Sequence, residues 1–264
     1  MDELHRDVGK LSAGLTPSVK ADARPLVADD LTVRERVADA ARFMIRPTFV
    51  DGTLPWGRAM LIALLTVFAF DLVLDTLVGE VTALLDSGTG FLPEPIEQDA
   101  SLAEDLFGYL LLAPVLEELV YRGWLTGRIA ALRFALYGFA AEAIFIGTLF
   151  VSADIAMPLA LAGVGLVLFG LVHWSLTRDR DTTVPEWFTR HFRWFVWGSS
   201  LLFGLMHLGN YEALTSPLGV FVVLPQTIGG LLLAYTRTRM GLRAAMMHHA
   251  AYNAIFLAVD YGWW

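Results

Sequence analysis

Residues 156–176 read Ala156-Met-Pro-Leu-Ala-Leu-Ala-Gly-Val-Gly-Leu-Val-Leu-Phe-Gly-Leu-Val-His-Trp-Ser-Leu176, without one charged residue. At about 1.5 Å per residue, a helix of this length crosses a hydrocarbon core about 30 Å thick. Lipid offers the backbone no hydrogen-bond partner, so only helices and closed barrels span it. The stretch lacks the alternation of a barrel strand and reads as a membrane helix. Further apolar segments lie on either side, at about 58–83, 104–122, 132–152, 195–211, 217–236 and 243–261. Together they make the chain 56% hydrophobic and only 17% charged, against about 45–50% and roughly 25% in an ordinary soluble domain. The expected fold is all-α, a polytopic transmembrane helical bundle of about seven spans.

Positive charge sets the orientation of such a bundle. No Lys or Arg occurs between Ala59 and Tyr121, whereas the connector at 84–105 carries Asp86, Glu94, Glu97, Asp99, Glu104 and Asp105. Arginines cluster at 122–133, 178–193 and 237–243, which in a seven-span arrangement share one side with the N-terminal tail. That side is expected to be cytoplasmic, with the N-terminus inside and the acidic connector outside. Residues 1–50 read as a polar cytoplasmic tail, and 51–264 as the transmembrane domain. Within the tail, 31–45 has Val33, Val37, Ala40, Ala41 and Met44 on one face and suits a short surface helix. The acidic, polar start of the chain is not that of a cleavable signal peptide.

The absence of cysteine excludes disulfides, thiolate metal sites and a cysteine nucleophile. A net charge of −8, with no basic, aromatic-interleaved patch, argues against a nucleic-acid partner. The partner to expect is the lipid bilayer. The location to expect is the plasma (inner) membrane.

An ionisable group at membrane depth costs roughly 2.5–3.5 kcal/mol on insertion scales, so each is a functional hypothesis. The second segment contains Leu111-Leu-Ala-Pro-Val-Leu-Glu117-Glu118-Leu-Val-Tyr-Arg122. Neighbouring side chains on a helix point about 100° apart, so the two carboxylates address different partners. Glu118 and Arg122 stand at i and i+4 in the favourable order for an ion pair, which leaves Glu117 to face something else. The fifth segment carries Phe203-Gly-Leu-Met-His207; a lone His on an apolar helix is more often a satisfied core residue than a catalyst. The seventh carries His248-His249-Ala-Ala-Tyr-Asn253, in which His249 and Asn253 share a face and His248 points towards the side of Tyr252. A His and an Asn so stacked can bind a metal, orient a water or donate to an oxyanion. Helical rise places Glu117 about 10 Å, His249 about 8 Å and His207 roughly 15–20 Å from the inner face. The remaining polar groups read as structural. Asp71 and Asp75 repel at i and i+4 if both are ionised; Glu142 and His173 are candidate partners for each other; Gln226 precedes the close-packing Gly229 and Gly230.

Glu117-Glu118-Leu-Val-Tyr-Arg122, Phe203-Gly-Leu-Met-His207 and His249-Ala-Ala-Tyr-Asn253, in this order and each in an apolar segment, resemble a known family. It is the CAAX prenyl endopeptidase and bacteriocin-processing (Abi) family of intramembrane proteases. The likeness covers about 104–128 and 195–257. It implies hydrolysis within the membrane of a membrane-associated or lipidated protein or peptide, after a prenylated cysteine in eukaryotic members, with Glu117, His207, His249 and Asn253 as the catalytic set. The family's first two motifs are usually close together, but here His207 follows Arg122 by 85 residues. Residues 131–194 therefore read as an inserted helix pair with its cytoplasmic loop.

Two schemes fit these residues. In one, Glu117 is the general base for water while His249 and Asn253 stabilise the oxyanion. In the other, Glu117, His207 and His249 bind Zn²⁺ with water at the fourth position, although the compact His-Glu-x-x-His signature is absent. Rival readings are a proton-coupled transporter, which would show an inverted repeat that this sequence lacks, and a non-catalytic scaffold or immunity protein of the same fold.

Overall fold

The computed structural model describes residues 31–96, 100–148 and 150–263; most of the expected N-terminal tail lies outside them. The only regular structure among the described residues is helical, with no strand and a single isolated bridge between Pro95 and Tyr211. The helices are α1 (Val33–Ile45), α2 (Arg58–Asp86), α3 (Leu102–Phe107), α4 (Ala113–Glu117), α5 (Ile129–Thr148), α6 (Ala153–Thr177), α7 (Glu186–Met206), α8 (Leu224–Met240) and α9 (Leu242–Asp260).

Four helical stretches among the described residues are long and apolar enough to cross a membrane: Arg58–Asp86, Ile129–Thr148, Ala153–Thr177 and Pro217–Met240. The other three apolar segments are helical too, but each departs from a plain span. The one at 104–122 is broken into short pieces. Helix α7 begins with Glu186, Arg190 and Arg193, and α9 carries Arg243, His248, His249 and Asn253. Helix α6 has only 11% of its most apolar window buried and turns Leu161, Leu168, Phe169 and Val172 outward, as lipid contact requires.

The centre of the bundle is α8, which packs against α1, α2, α7 and α9. From Gly230 to Met240 every one of its residues is buried. At one end, Phe43 of α1 meets Phe192 and Tyr235 edge to face, and Met60, Val67, Phe188 and Leu232 complete that core. Helix α1 occupies the position expected for a surface helix. Its buried edge runs through Arg36, Ala40 and Phe43, while Val33 points outward. Tyr235 donates to Asp39 at 3.0 Å and Arg239 to Thr48 Oγ1 at 2.9 Å, which tie α1 and its sequel to α8. Helices α5 and α6 pack chiefly on each other as a hairpin. Gly163 and Gly170 admit the rings of Phe145 and Tyr137; a Cβ at either would lie within 3.0 Å of ring or linker carbons.

Candidate active site

The acidic pair sits where the chain between 102 and 126 departs twice from α geometry. Ser101 and Glu104 form a capping box that starts α3. A π-helical turn, Gly108–Leu112, precedes Pro114, whose ring clashes with the carbonyl four residues earlier in a regular helix. A second π-helical turn, Glu118–Arg122, is followed by the 3₁₀ turn Gly123–Thr126. Such wide turns occur mostly where a helix must re-aim side chains. The carbonyls freed at this break are taken by Arg237 of α8, which donates from Nε to Arg122 O at 3.0 Å and from Nη2 to Gly123 O at 3.2 Å.

Within that turn, Arg122 Nη1 lies 2.8 Å from Glu118 Oε1, and both side chains are fully buried. The guanidinium also rests on the Phe203 ring, 3.9 Å from its centroid, so an apolar face covers the part that finds no acceptor. This approach depends on α7 and α8 lying close. A Cβ at Gly204 would stand 2.0 Å from Thr227 Oγ1, and one at Gly230 would stand 3.0 Å from Arg122 Nη2.

His249 of α9 links the two carboxylates. Its Nδ1 is 3.1 Å from Glu118 Oε1, and its Nε2 is 3.8 Å from Glu117 Oε2. Glu117 is the more open of the acids, with a third of its side chain exposed, and its Oε2 has no hydrogen-bond partner within the protein. His207 ends α7 and opens a 3₁₀ turn, with Nδ1 2.8 Å from Phe203 O. A carbonyl only accepts, so Nδ1 carries the hydrogen, and in the neutral ring Nε2 is an acceptor. The Phe203 ring touches both imidazoles, at 4.7 Å from His207 and 5.9 Å from His249. Asn253 donates through Nδ2 to Tyr109 O at 2.8 Å, which anchors the amide to the first π-helical turn and leaves its second N–H for another acceptor.

His207, His249 and Asn253 line one cavity of about 40 Å³, together with Asp71, Gln226 and Gly229. Since a water needs only ~10–15 Å³ on this measure, the cavity has room for the small reactant of a hydrolysis. The second apolar segment contributes no residue to the cavity lining; it meets the site through the contacts of Glu117 and Glu118 with His249. Among the described residues no three His, Asp or Glu side chains are gathered so as to hold a metal ion. His249 Nδ1 is held by Glu118 while Nε2 faces Glu117. Glu117, His207 and His249, the set expected for zinc, form no such group as they stand.

One sequence expectation is corrected and two are extended. Glu142 does not meet His173: it accepts from the Tyr121 hydroxyl, while His173 Nδ1 is 2.9 Å from Tyr137 Oη. Both tyrosines lie nearer along the packed faces. Asp71 and Asp75 do not simply repel, because α9 brings each a partner: His248 Nε2 is 3.1 Å from Asp71 Oδ2, and Tyr252 hydrogen-bonds Asp75. Glu118 serves His249 as well as Arg122. A signal for the second point was in the sequence: two acids in an apolar segment require donors, and His248 had none assigned.

No curated protein and no solved structure matches this chain. A family model described as Type II CAAX prenyl endopeptidase Rce1-like matches residues 100–255, which hold every motif discussed above. Four apolar helices and membership of a membrane-protease family make this an integral membrane protein. With more than half of its length covered, the chain belongs to the Rce1-like type II CAAX prenyl endopeptidase family.

Proposed function

We propose that this protein is an intramembrane endopeptidase that hydrolyses a peptide bond of a membrane-associated, lipidated substrate without a metal ion. The observation that carries the reading is the placement of His249 between Glu117 and Glu118 on the same cavity as His207 and Asn253. A gap of 3.8 Å is too long for a direct hydrogen bond and suits a bridging water. Glu117 takes a proton from that water as general base, and His207 Nε2 accepts its other hydrogen and orients it. The water oxygen attacks the scissile carbonyl. In its charged form, His249 donates one N–H to Glu118 and the other to the developing oxyanion, alongside the free N–H of Asn253. Glu117 then returns its proton to the leaving amine as the C–N bond breaks. Glu118 and Arg122 position His249 and the broken helix. The charges of Glu117, Glu118, Arg122 and His249 then sum to zero, as a site in lipid favours.

The reading includes seven spans in the inner membrane with the N-terminus inside, where 104–122, α7 and α9 complete the four plain spans. Residues 51–264 form the protease domain, with 131–194 as an inserted pair whose outer face meets lipid.

Purified protein in liposomes, given a farnesylated peptide ending in a Cys-aliphatic-aliphatic-X sequence, tests the assignment. Glu117→Gln should lower kcat on the order of 10²–10⁴-fold, the range of a lost general base. Chelator treatment should leave the wild-type rate unchanged. Full activity in the Gln variant rules out Glu117 as base, and loss on chelation with recovery by Zn²⁺ rules out the metal-free scheme.

A further inference from the structure

Part of the cavity lining is not used by the hydrolysis just described. Asp71 comes from α2, and Gln226 and Gly229 from α8. The Asp71 side chain is only 2% exposed. Its Oδ2 faces His248, but its Oδ1 is buried with no hydrogen-bond partner, and the same holds for Gln226 Oε1. Gly229 leaves this carboxylate uncovered: a Cβ there would have only Asp71 Oδ1 and Oδ2 nearby, at 3.8 and 3.9 Å. Two unpaired acceptors in a water-poor cavity are costly unless a donor reaches them.

The charge state narrows the donor. Thr236 Oγ1 gives its hydrogen to Leu232 O at 3.0 Å, so at 3.1 Å it must accept from His248 Nδ1–H. His248 Nε2 lies 3.1 Å from Asp71 Oδ2 without hydrogen-bond alignment, close enough for an ion pair when the imidazole is charged. With the imidazole so charged, the Asp71–His248 pair is neutral as a whole. It can accept from an uncharged N–H without demanding a cation. An extended peptide entering the cavity has the complementary need, because its backbone N–H groups lose water.

We propose that Asp71 is a substrate-contacting, specificity-determining residue: its Oδ1, with Gln226 Oε1 as second acceptor, receives backbone N–H groups of the bound peptide while Oδ2 stays on His248. This rests on the peptidase reading above. The test uses the farnesylated peptide and a set of analogues in which each non-scissile backbone N–H near the cleaved bond is replaced in turn by an ester oxygen. For the wild type, one ester should lower kcat/KM about tenfold, mostly through KM. Asp71→Ala should impose a similar loss on the amide peptide and no further loss on that ester. Gly229→Ala sets a methyl in ordinary contact with the carboxylate without touching His248, so it should raise KM for the amide and leave the ester unchanged even if Asp71→Ala fails to fold. Losses equal for the amide and every ester overturn the proposal while leaving the peptidase reading intact. Failure of the wild type to cleave the amide peptide overturns both.

Discussion

Glu118 Oε1 accepts from two residues at once, Arg122 at 2.8 Å and His249 at 3.1 Å, inside a fully buried setting. Removing it strands a guanidinium and an imidazole together. Loss of one member of a buried pair typically costs 3–5 kcal/mol, so Glu118→Ala should cut folded yield and lower Tm steeply. Glu118→Gln keeps an acceptor at the same reach and should fold better while still misplacing His249. An unchanged Tm in the Ala variant, read by thermal unfolding in detergent, contradicts this account. The neighbouring Glu117 behaves differently because it is partly exposed and has no salt-bridge partner at bonding distance; its substitution should spare stability. Adjacent residues with nearly the same chemistry thus divide into a buried, paired member and one that the proposed mechanism makes reactive, and the helical angle between them is the cause.

At the scale of elements, the site depends on how closely α7, α8 and the broken helix approach. Gly204 is the tightest point, where an added Cβ would overlap Thr227 Oγ1. Overpacking of this kind typically costs 1–3 kcal/mol. Gly204→Ala should therefore destabilise by about 2 kcal/mol, and Thr227→Ala, which removes the hydroxyl, should recover part of it. Additive effects in the double variant would mean the helices separate there without strain. The break at 118–126 has its own brace, since Arg237 holds the carbonyls of Arg122 and Gly123. Arg237→Met keeps the volume but leaves both carbonyls unpaired, a loss of about 2 kcal/mol or more, which urea or thermal titration measures.

At the scale of the molecule, the chain's lack of cysteine allows its orientation to be tested directly. A single Thr89→Cys should react with a membrane-impermeant maleimide on intact cells, and Asp179→Cys only after permeabilisation; the reverse pattern refutes the proposed N-inside arrangement. The sequence alone determined that the chain is helical and membrane-bound, because uncharged runs of spanning length admit little else. It also marked Glu117, Glu118, Arg122, His207, His249 and Asn253, because ionisable groups in apolar segments are costly enough to stand out. Helical rise left His207 several ångströms deeper than the others, whereas the fold puts His207, which opens the 3₁₀ turn after α7, on one cavity with His249 and Asn253, and Glu117 3.8 Å from His249. Those local departures from ideal geometry are not written in periodicity. The partners of Asp71, Asp75, Glu142 and His173 were equally out of reach, since each lies on a different helix and only packing decides which helices touch. Which residues must find partners follows from the cost of burial, a property of each side chain alone; which partners they find depends on helix adjacency, and that belongs to the folded bundle.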